Sequence, residues 1–282
     1  MLASKTFRRL RMGLSTLLGI KRQGFFIPYR YAESVPDYKD RSKYRHIENM
    51  FDNSRSLFRE QISQISQFTD ELRQIGPDIP PQPRWNQTWF PPLDAAIAYA
   101  MVRQHAPNYI IEVGSGHSTR FLARAVSDGL LDTRIVAIDP APRANIDGLN
   151  ITVEPATIQE VDIHYFELLK PEDILFIDSS HILMPGTDVD FLFNQIFGLL
   201  KAGVVIHIHD ILLPDDYPQS WEWRGYNEQL GVAALLQGQC FDVLFASNYV
   251  AKHMGEALQG TLIAELDRPK SIYETSLWLK KC

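Results

Sequence analysis

Tyr109-Ile-Ile-Glu-Val-Gly-Ser-Gly-His-Ser-Thr119 decides the fold of this 282-residue chain. A short apolar run that carries one acid, Glu112, ends in the turn Gly114-Ser115-Gly116, and a helix-like segment follows. A strand closing in a glycine-rich turn brings bare backbone amides close to a ligand, and the helix N-terminus behind it favours negative charge. The stretch predicts a ligand site at the carboxyl edge of a parallel sheet.

Outward from it, apolar runs and helical patterns alternate. Strands are expected at 109–113, 134–138, 151–154, 173–178 and 204–209, with helices at 118–126, 188–200 and 227–237. This alternation means an α/β fold, a doubly wound, mostly parallel sheet covered on both faces. Two further runs, 241–246 and 276–280, have no clear helix between them, so an antiparallel edge hairpin brings the sheet to seven strands. Pro91-Pro-Leu-Asp94 opens a helix through Val102, where Pro suits the first turn and Asp94 the positive helix end. Upstream, apolar residues recur between Ile47 and Ile75 at helical steps, and the proline-rich segment 76–83 stops that helix. Residues 1–84 are therefore expected to form a helical N-terminal extension and linker, and 85–282 the α/β domain.

The chain is 45% apolar and 22% charged, ordinary for a globular protein with a large core. A net charge of −6 speaks against nucleic acid as the main partner. Cys240 and Cys282 make neither a disulfide framework nor a metal spacing, which points to a reducing compartment, the cytoplasm. No apolar run reaches the roughly 18–20 residues of a membrane span. Arg8, Arg9 and Arg11 precede an apolar stretch, 12–20, that imitates a signal peptide but lacks a small-x-small cleavage site. Local packing or disorder is the first reading of this segment, a basic amphipathic segment on an anionic surface the second, and a true signal the third.

Acids punctuate the strand ends: Glu112, Asp139, Asp178 and Asp210. Ligands of open α/β sheets bind off the carboxyl ends of strands, so these side chains are expected in one crevice. Asp139 lies 23 residues after Gly116, about the interval at which a second-strand carboxylate reaches a ribose. The dinucleotide fingerprint wants a third glycine where this chain has Thr119, so NAD fits poorly.

Glu112-Val-Gly-Ser-Gly-His-Ser-Thr119, Ala137-Ile-Asp-Pro140, Ile174-Leu-Phe-Ile-Asp-Ser-Ser-His181 and Gly203-Val-Val-Ile-His-Ile-His-Asp-Ile211 together resemble class I S-adenosylmethionine-dependent methyltransferases. Within that family they look most like a bacterial group acting on small molecules or glycans. The resemblance covers roughly 85–282 and implies a Rossmann-like sheet with S-adenosylmethionine as cofactor. It implies that Glu112, Gly114, Ser115, Gly116, His117, Asp139 and Asp178 surround the cofactor. Gly114–Gly116 would hold the methionine part, Asp139 the ribose, and residues 159–162 would border the adenine.

Asp178, His181, His207, His209 and Asp210 form a second constellation. Residues 207 and 209 share a strand face. Catechol-type members of the family hold a metal with an acid after strand four and an acid–amide pair after strand five. The likeness puts Asp178, His209 and Asp210 in that place, with a histidine where the pattern has an acid. Mg²⁺ prefers oxygen ligands and imidazole suits Mn²⁺, Fe²⁺ or Zn²⁺, so a divalent metal is left open, as is a metal-free polar cluster. Methyl transfer needs an aligned nucleophile and a proton acceptor. His181, on the loop after strand four, is the expected general base, with His209 and Asp210 as further catalytic candidates. The loop 214–226, with Trp221, Trp223, Tyr217 and Tyr226, is expected to form a substrate wall or lid, the alternatives being a dimer contact or packing against the N-terminal extension.

The expected activity is O-methylation of a hydroxyl on a sugar or other small metabolite. A small-molecule or glycan acceptor is the expected partner, with a homo-oligomer left open. The competing readings are a metal-dependent hydrolase built on His207, His209 and Asp210, and a non-catalytic binding protein.

Overall fold

The computed structural model describes residues 2–267 and 272–282, and the side chains from residue 7 onward. Among them, the helices are α1 (Leu2–Leu17), α2 (Arg45–Asn53), α3 (Arg55–Ser66), α4 (Thr69–Arg73), α5 (Pro92–His105), α6 (His117–Asp128), α7 (His164–Glu167), α8 (Asp188–Phe191), α9 (Glu228–Gln237), α10 (Ser247–His253) and α11 (Leu262–Glu265). The strands are β1 (Tyr109–Val113), β2 (Arg134–Ile138), β3 (Thr152–Glu154), β4 (Ile174–Ile177), β5 (Val205–Ile208), β6 (Phe241–Ala246) and β7 (Leu277–Lys281). They form one sheet in the order β3-β2-β1-β4-β5-β7-β6.

Register decides where the site lies. β1 pairs in parallel with β2 and β4, with Val113 opposite both Ile138 and Ile177. β4 pairs in parallel with β5, with Ile177 opposite Ile208. Three neighbouring strands therefore stop level with β1, and the residues that follow each leave the sheet at one edge. The winding reverses between β1 and β4, the place where open α/β sheets bind ligands. The near-continuous apolar strands fit burial on both faces: Ile110, Ile111, Ile174, Leu175 and Phe176 are all fully buried.

The far end of the sheet carries the expected antiparallel edge pair, but its connection is helical. β7 inserts between β5 and β6, antiparallel to both, and β6 is the edge. α10 and α11 occupy the connection that looked helix-free. The reason lies in the side chains. Leu277, Trp278 and Leu279 are buried on both faces of β7, whereas β6 exposes Asp242 and carries a bulge between Val243 and Phe245, which suits an edge.

Two expected helices are broken. The run 44–75 divides into α2, α3 and α4; at the first boundary the Ser54 hydroxyl bonds back to the Met50 carbonyl at 3.0 Å. Such local side-chain bonding competes with helix continuation. The run 188–200 begins as α8 and continues as a π-helical turn over Leu192–Ile196.

The chain divides into two compact units. The larger holds 44–214 and 227–282, so α2–α4, read from the sequence as part of the extension, pack within the sheet domain. Ile47, Phe51, Phe58, Ile62 and Leu72 join the main core. Phe58 meets Phe51, Phe245 and Tyr249 edge to face, with ring centroids 6.2, 5.7 and 6.0 Å away. Removing such a ring costs about 3–5 kcal/mol, so these helices are integral to stability. The smaller unit holds 1–43 and 215–226. In it Tyr217, Trp221 and Tyr226 pack on one another, with the Arg224 guanidinium 4.1 Å from the Trp221 ring centroid. Its ion pairs include Arg41–Asp216 at 2.8 Å and Lys43–Asp215 at 3.3 Å.

Candidate cofactor and catalytic site

At the level edge of β1, β2 and β4 lies a cavity of about 510 Å³, within the ordinary range for small-ligand sites. Gly114, Ser115, Asp139, Arg143, Gln159 and Asp178 are among the residues that line it.

The turn after β1 can be built only one way. Gly114 has φ +80, and a Cβ there would overlap the Asp178 carbonyl oxygen. Only glycine lets the turn pass this close to the end of β4. Gly116 is different. Its φ of 160 is extended backbone, and a Cβ would meet nothing nearer than 3.6 Å.

Asp139 faces the same turn. Its Oδ2 accepts from the Ser115 amide at 2.7 Å and the Ser115 hydroxyl at 3.1 Å, and its Oδ1 accepts from the Ala141 amide at 2.7 Å. Two loops are thus locked together across the cavity wall by one half-buried carboxylate. A carboxylate offers about four acceptor positions, so one remains for a ligand hydroxyl. Sequence reasoning placed Gly114, Ser115, Asp139 and Asp178 at one ligand, and all four line the cavity.

Glu112, Gly116 and His117 do not line it. Glu112 is fully buried and accepts from the Ser118 and Thr119 hydroxyls, each at 2.6 Å. Thr119 Oγ1 in turn accepts from the Gly116 amide at 2.8 Å. Glu112 therefore ties β1 to the first turn of α6. Burial pushes its carboxyl up to about 8, against the pull of the two hydroxyls. Burial, with Arg120 and Arg84 nearby, lowers His117 to about 4. Of the segment 159–162, Gln159 reaches the cavity, accompanied by Thr157 and Ile158.

The second constellation assembles around His181. The His181 side chain is 2% exposed. Its Nδ1 lies 2.8 Å from Glu228 Oε2, and its Nε2 lies 3.3 Å from Asp178 Oδ1 and 3.5 Å from Asp210 Oδ2. Both His181 and Asp210 have positive φ, +62 and +55. Such backbone is uncommon outside glycine and persists only where surroundings enforce it. Burial alone would lower His181, but hydrogen bonds to Asp178 and Glu228 and the charge of Asp210 raise it well above its ordinary 6.5. The same contacts act on Asp178. Burial would raise it, yet His181, His209 and Arg143 hold it well below the usual carboxylate range.

This geometry corrects the metal expectation for Asp178, His209 and Asp210. The imidazole of His181 occupies the gap between the two carboxylates where a cation would sit. His209 turns away: its Nε2 is 3.2 Å from the Trp89 carbonyl oxygen, both ring nitrogens are 3.4 Å from Thr275 Oγ1, and Asp210 Oδ1 is 3.8 Å off. Among the described residues no group of three or more His, Cys, Asp or Glu side chains is arranged to hold a metal. The donors do not fit the ion.

His207 gives the hydrolase reading no footing. It is fully buried, stacks on Phe176 with centroids 3.7 Å apart, and has Nε2 2.8 Å from Ser276 Oγ. Burial holds it neutral, well below 6.5.

Sequence reasoning missed Glu228, the third carboxylate on His181. It lies 47 positions away in the first turn of α9, with no motif around it. It also missed Arg143, whose guanidinium sits 5.0 Å from the Trp89 ring centroid, and Asp188, which accepts from the Ser180 amide at 2.7 Å. Asp188 and Ser180 both line the cavity.

The cavity fits the cofactor that the sequence implies, since its glycine turn leaves no room for a side chain and a carboxylate faces the turn. Residues 111–211 match a family model described as a methyltransferase domain. The chain is similar to the SAH-bound structure of a Podospora anserina methyltransferase, at 16% identity and TM-score 0.42 over 92% of this chain and 99% of that one. It is similar to an O-methyltransferase from Bacillus cereus in complex with SAH, at 14% identity and TM-score 0.40 over 79% and 91%. It is also similar to the Streptomyces achromogenes O-methyltransferase TomG in complex with SAM, at 14% identity and TM-score 0.41 over 86% and 99%. No curated protein sequence matches. The methyltransferase-domain match runs from the middle of β1 to the loop after β5, over the same strands that build the cavity edge.

Proposed function

We propose that the chain methylates a hydroxyl of a small polar acceptor, a sugar or similar metabolite. The observation that carries this is the juxtaposition at one cavity of the Gly114 turn, Asp139 and the Asp178 carboxylate held by His181. Gly114 and Ser115 would cradle the amino-acid end of the cofactor, Asp139 the ribose, and Ile158 and Gln159 the base. The cofactor supplies an activated methyl group on a sulfonium.

The protein's own task is to present the acceptor oxygen and receive its proton. Asp178 lines the cavity and is the member of the cluster placed to do both. As the new C–O bond forms and the C–S bond breaks, the hydroxyl becomes strongly acidic, so even a weakly basic carboxylate takes the proton. A positioned base contributes roughly 10²–10⁴ in rate. His181 is revised from base to positioning residue. An imidazolium that already holds both its protons cannot accept another; it fixes the orientation of Asp178 and Asp210 and balances their charge.

Calorimetry with S-adenosylmethionine and its demethylated product tests the reading. Binding of both is expected, weakened on the order of 10–100-fold by Asp139→Asn through loss of charged hydrogen bonds. No binding of either would overturn it. Turnover on a panel of sugars and phenols then tests the acceptor class, and methylation of amines alone would overturn the hydroxyl assignment.

A further inference from the structure

The first thirty-two residues carry seven basic side chains and no acid, in a chain of net charge −6. The first acid is Glu33. This segment forms α1 and the aromatic loop Phe25-Phe-Ile-Pro-Tyr-Arg-Tyr31, both in the smaller unit.

Helical spacing puts Phe7, Leu10, Leu14 and Leu17 on one face of α1, and Leu18 and Ile20 continue it. Each of these six is at least 49% exposed. Met12, Ser15 and Thr16, on the opposite face, are the half-buried ones. α1 touches the 3-10 turn Gln219–Arg224 of its own unit. It thus shows its mostly polar flank to the chain and its apolar flank outward, the reverse of an ordinary surface helix. Arg9 and Arg11 lie on either side of the apolar stripe and Arg8 on the polar flank beside Ser15; all three are exposed, as are Lys21 and Arg22 beyond the helix. The loop adds exposed Phe25, Phe26, Ile27, Tyr29 and Tyr31.

We propose that this basic, apolar face docks in the plane of an anionic phospholipid bilayer. A bilayer interface supplies hydrocarbon for the leucine stripe, a level for tyrosine rings and negative charge for the arginines. At 16 residues, α1 is too short and too polar to cross. A second copy of the chain suits the face less well. A two-fold contact would set Arg8, Arg9 and Arg11 against themselves, with no acid in the segment to answer them.

Vesicle flotation of the full-length protein tests the proposal, using phosphatidylcholine alone and phosphatidylcholine mixed with phosphatidylglycerol. Binding to the anionic vesicles is expected to exceed binding to the neutral ones roughly tenfold or more and to fall in high salt. Charge reversal of Arg8, Arg9 and Arg11 together is expected to weaken it on the order of 100-fold, at about 1 kcal/mol per basic residue. Leu14→Asp is expected to abolish it, and Leu14→Trp to show blue-shifted emission on anionic vesicles only. Unchanged affinity of each variant for S-adenosylhomocysteine shows that the domain stays folded. Absent or equal binding to the two vesicle types, or full binding by Leu14→Asp, overturns the proposal. A dimer that Leu14→Asp splits, without vesicle binding, also overturns it and assigns the face to a second copy.

Discussion

The Nε2 of His181 stands 3.3 Å from Oδ1 of Asp178, three positions earlier in the chain, and both side chains lie at the edge where β4 ends. Asp210 and Glu228 complete the ring around the imidazole at 3.5 and 2.8 Å. One buried imidazole therefore gathers carboxylates from three separate elements.

Replacing it by an uncharged side chain leaves those carboxylates facing one another. His181→Gln is expected to destabilise by about 3–5 kcal/mol, the usual loss when one member of a buried charge pair is removed. The sign with pH follows from the shifts. The folded pKa of His181 is raised, so its contribution is complete below 6.5 and is lost as pH rises through the folded value. That of Asp178 is depressed, so its contribution is present above 3.8 and is lost as pH falls through the folded value. Urea unfolding of both proteins across pH should show the gap widest between these limits and narrowing under alkaline conditions. A gap that grows steadily with pH would contradict a protonated His181.

In the kinetics, a histidine base would make kcat rise with pH through its own pKa near neutrality. The imidazolium arrangement predicts no such rise. It also predicts that Asp178→Asn lowers kcat by roughly 10²–10⁴ with little effect on cofactor affinity. A pH–rate profile on parent and variant separates the two assignments.

Because the imidazole fills the gap between Asp178 and Asp210, exhaustive dialysis against a chelator should leave turnover unchanged. Restoration of lost activity by Mg²⁺ or Mn²⁺ would show that the carboxylates hold a metal after all.

The two glycines of the β1 turn should respond unequally. Gly114→Ala combines strained left-handed backbone, about 1–2 kcal/mol, with overlap on the Asp178 carbonyl, so folding and cofactor binding should both suffer. Gly116→Ala meets only ordinary contacts and should shift stability by less than about 1 kcal/mol. Thermal melts with and without S-adenosylhomocysteine compare them.

Glu112, with its carboxyl raised to about 8, carries a proton at neutrality. Glu112→Gln, which mimics the protonated acid, should be nearly neutral below pH 4.5 and increasingly stabilising toward neutrality, whereas Glu112→Ala should cost about 2–4 kcal/mol by stranding the Ser118 and Thr119 hydroxyls. A raised acid loses its contribution as pH climbs from 4.5 through 8, so Glu112→Gln should flatten the stability curve in that interval. Denaturant titrations across that range decide it.

Local chemistry alone made several features readable. The apolar runs at 109–113 and 134–138, the Gly114 turn and the carboxylate of Asp139 each follow from residues within a few positions, and all stand where the sequence put them. The placement of β7 inside the sheet turned on burial that no short window contains. The charge state of His181 was the least legible of all. A histidine's proton affinity depends on what surrounds it, and Glu228 arrives from 47 positions away to close the ring. Sequence determined which residues could meet a cofactor; only the packed structure decided which carboxylates surround the expected base and raise its proton affinity, because the electrostatic field at a buried atom is set by every element folded against it.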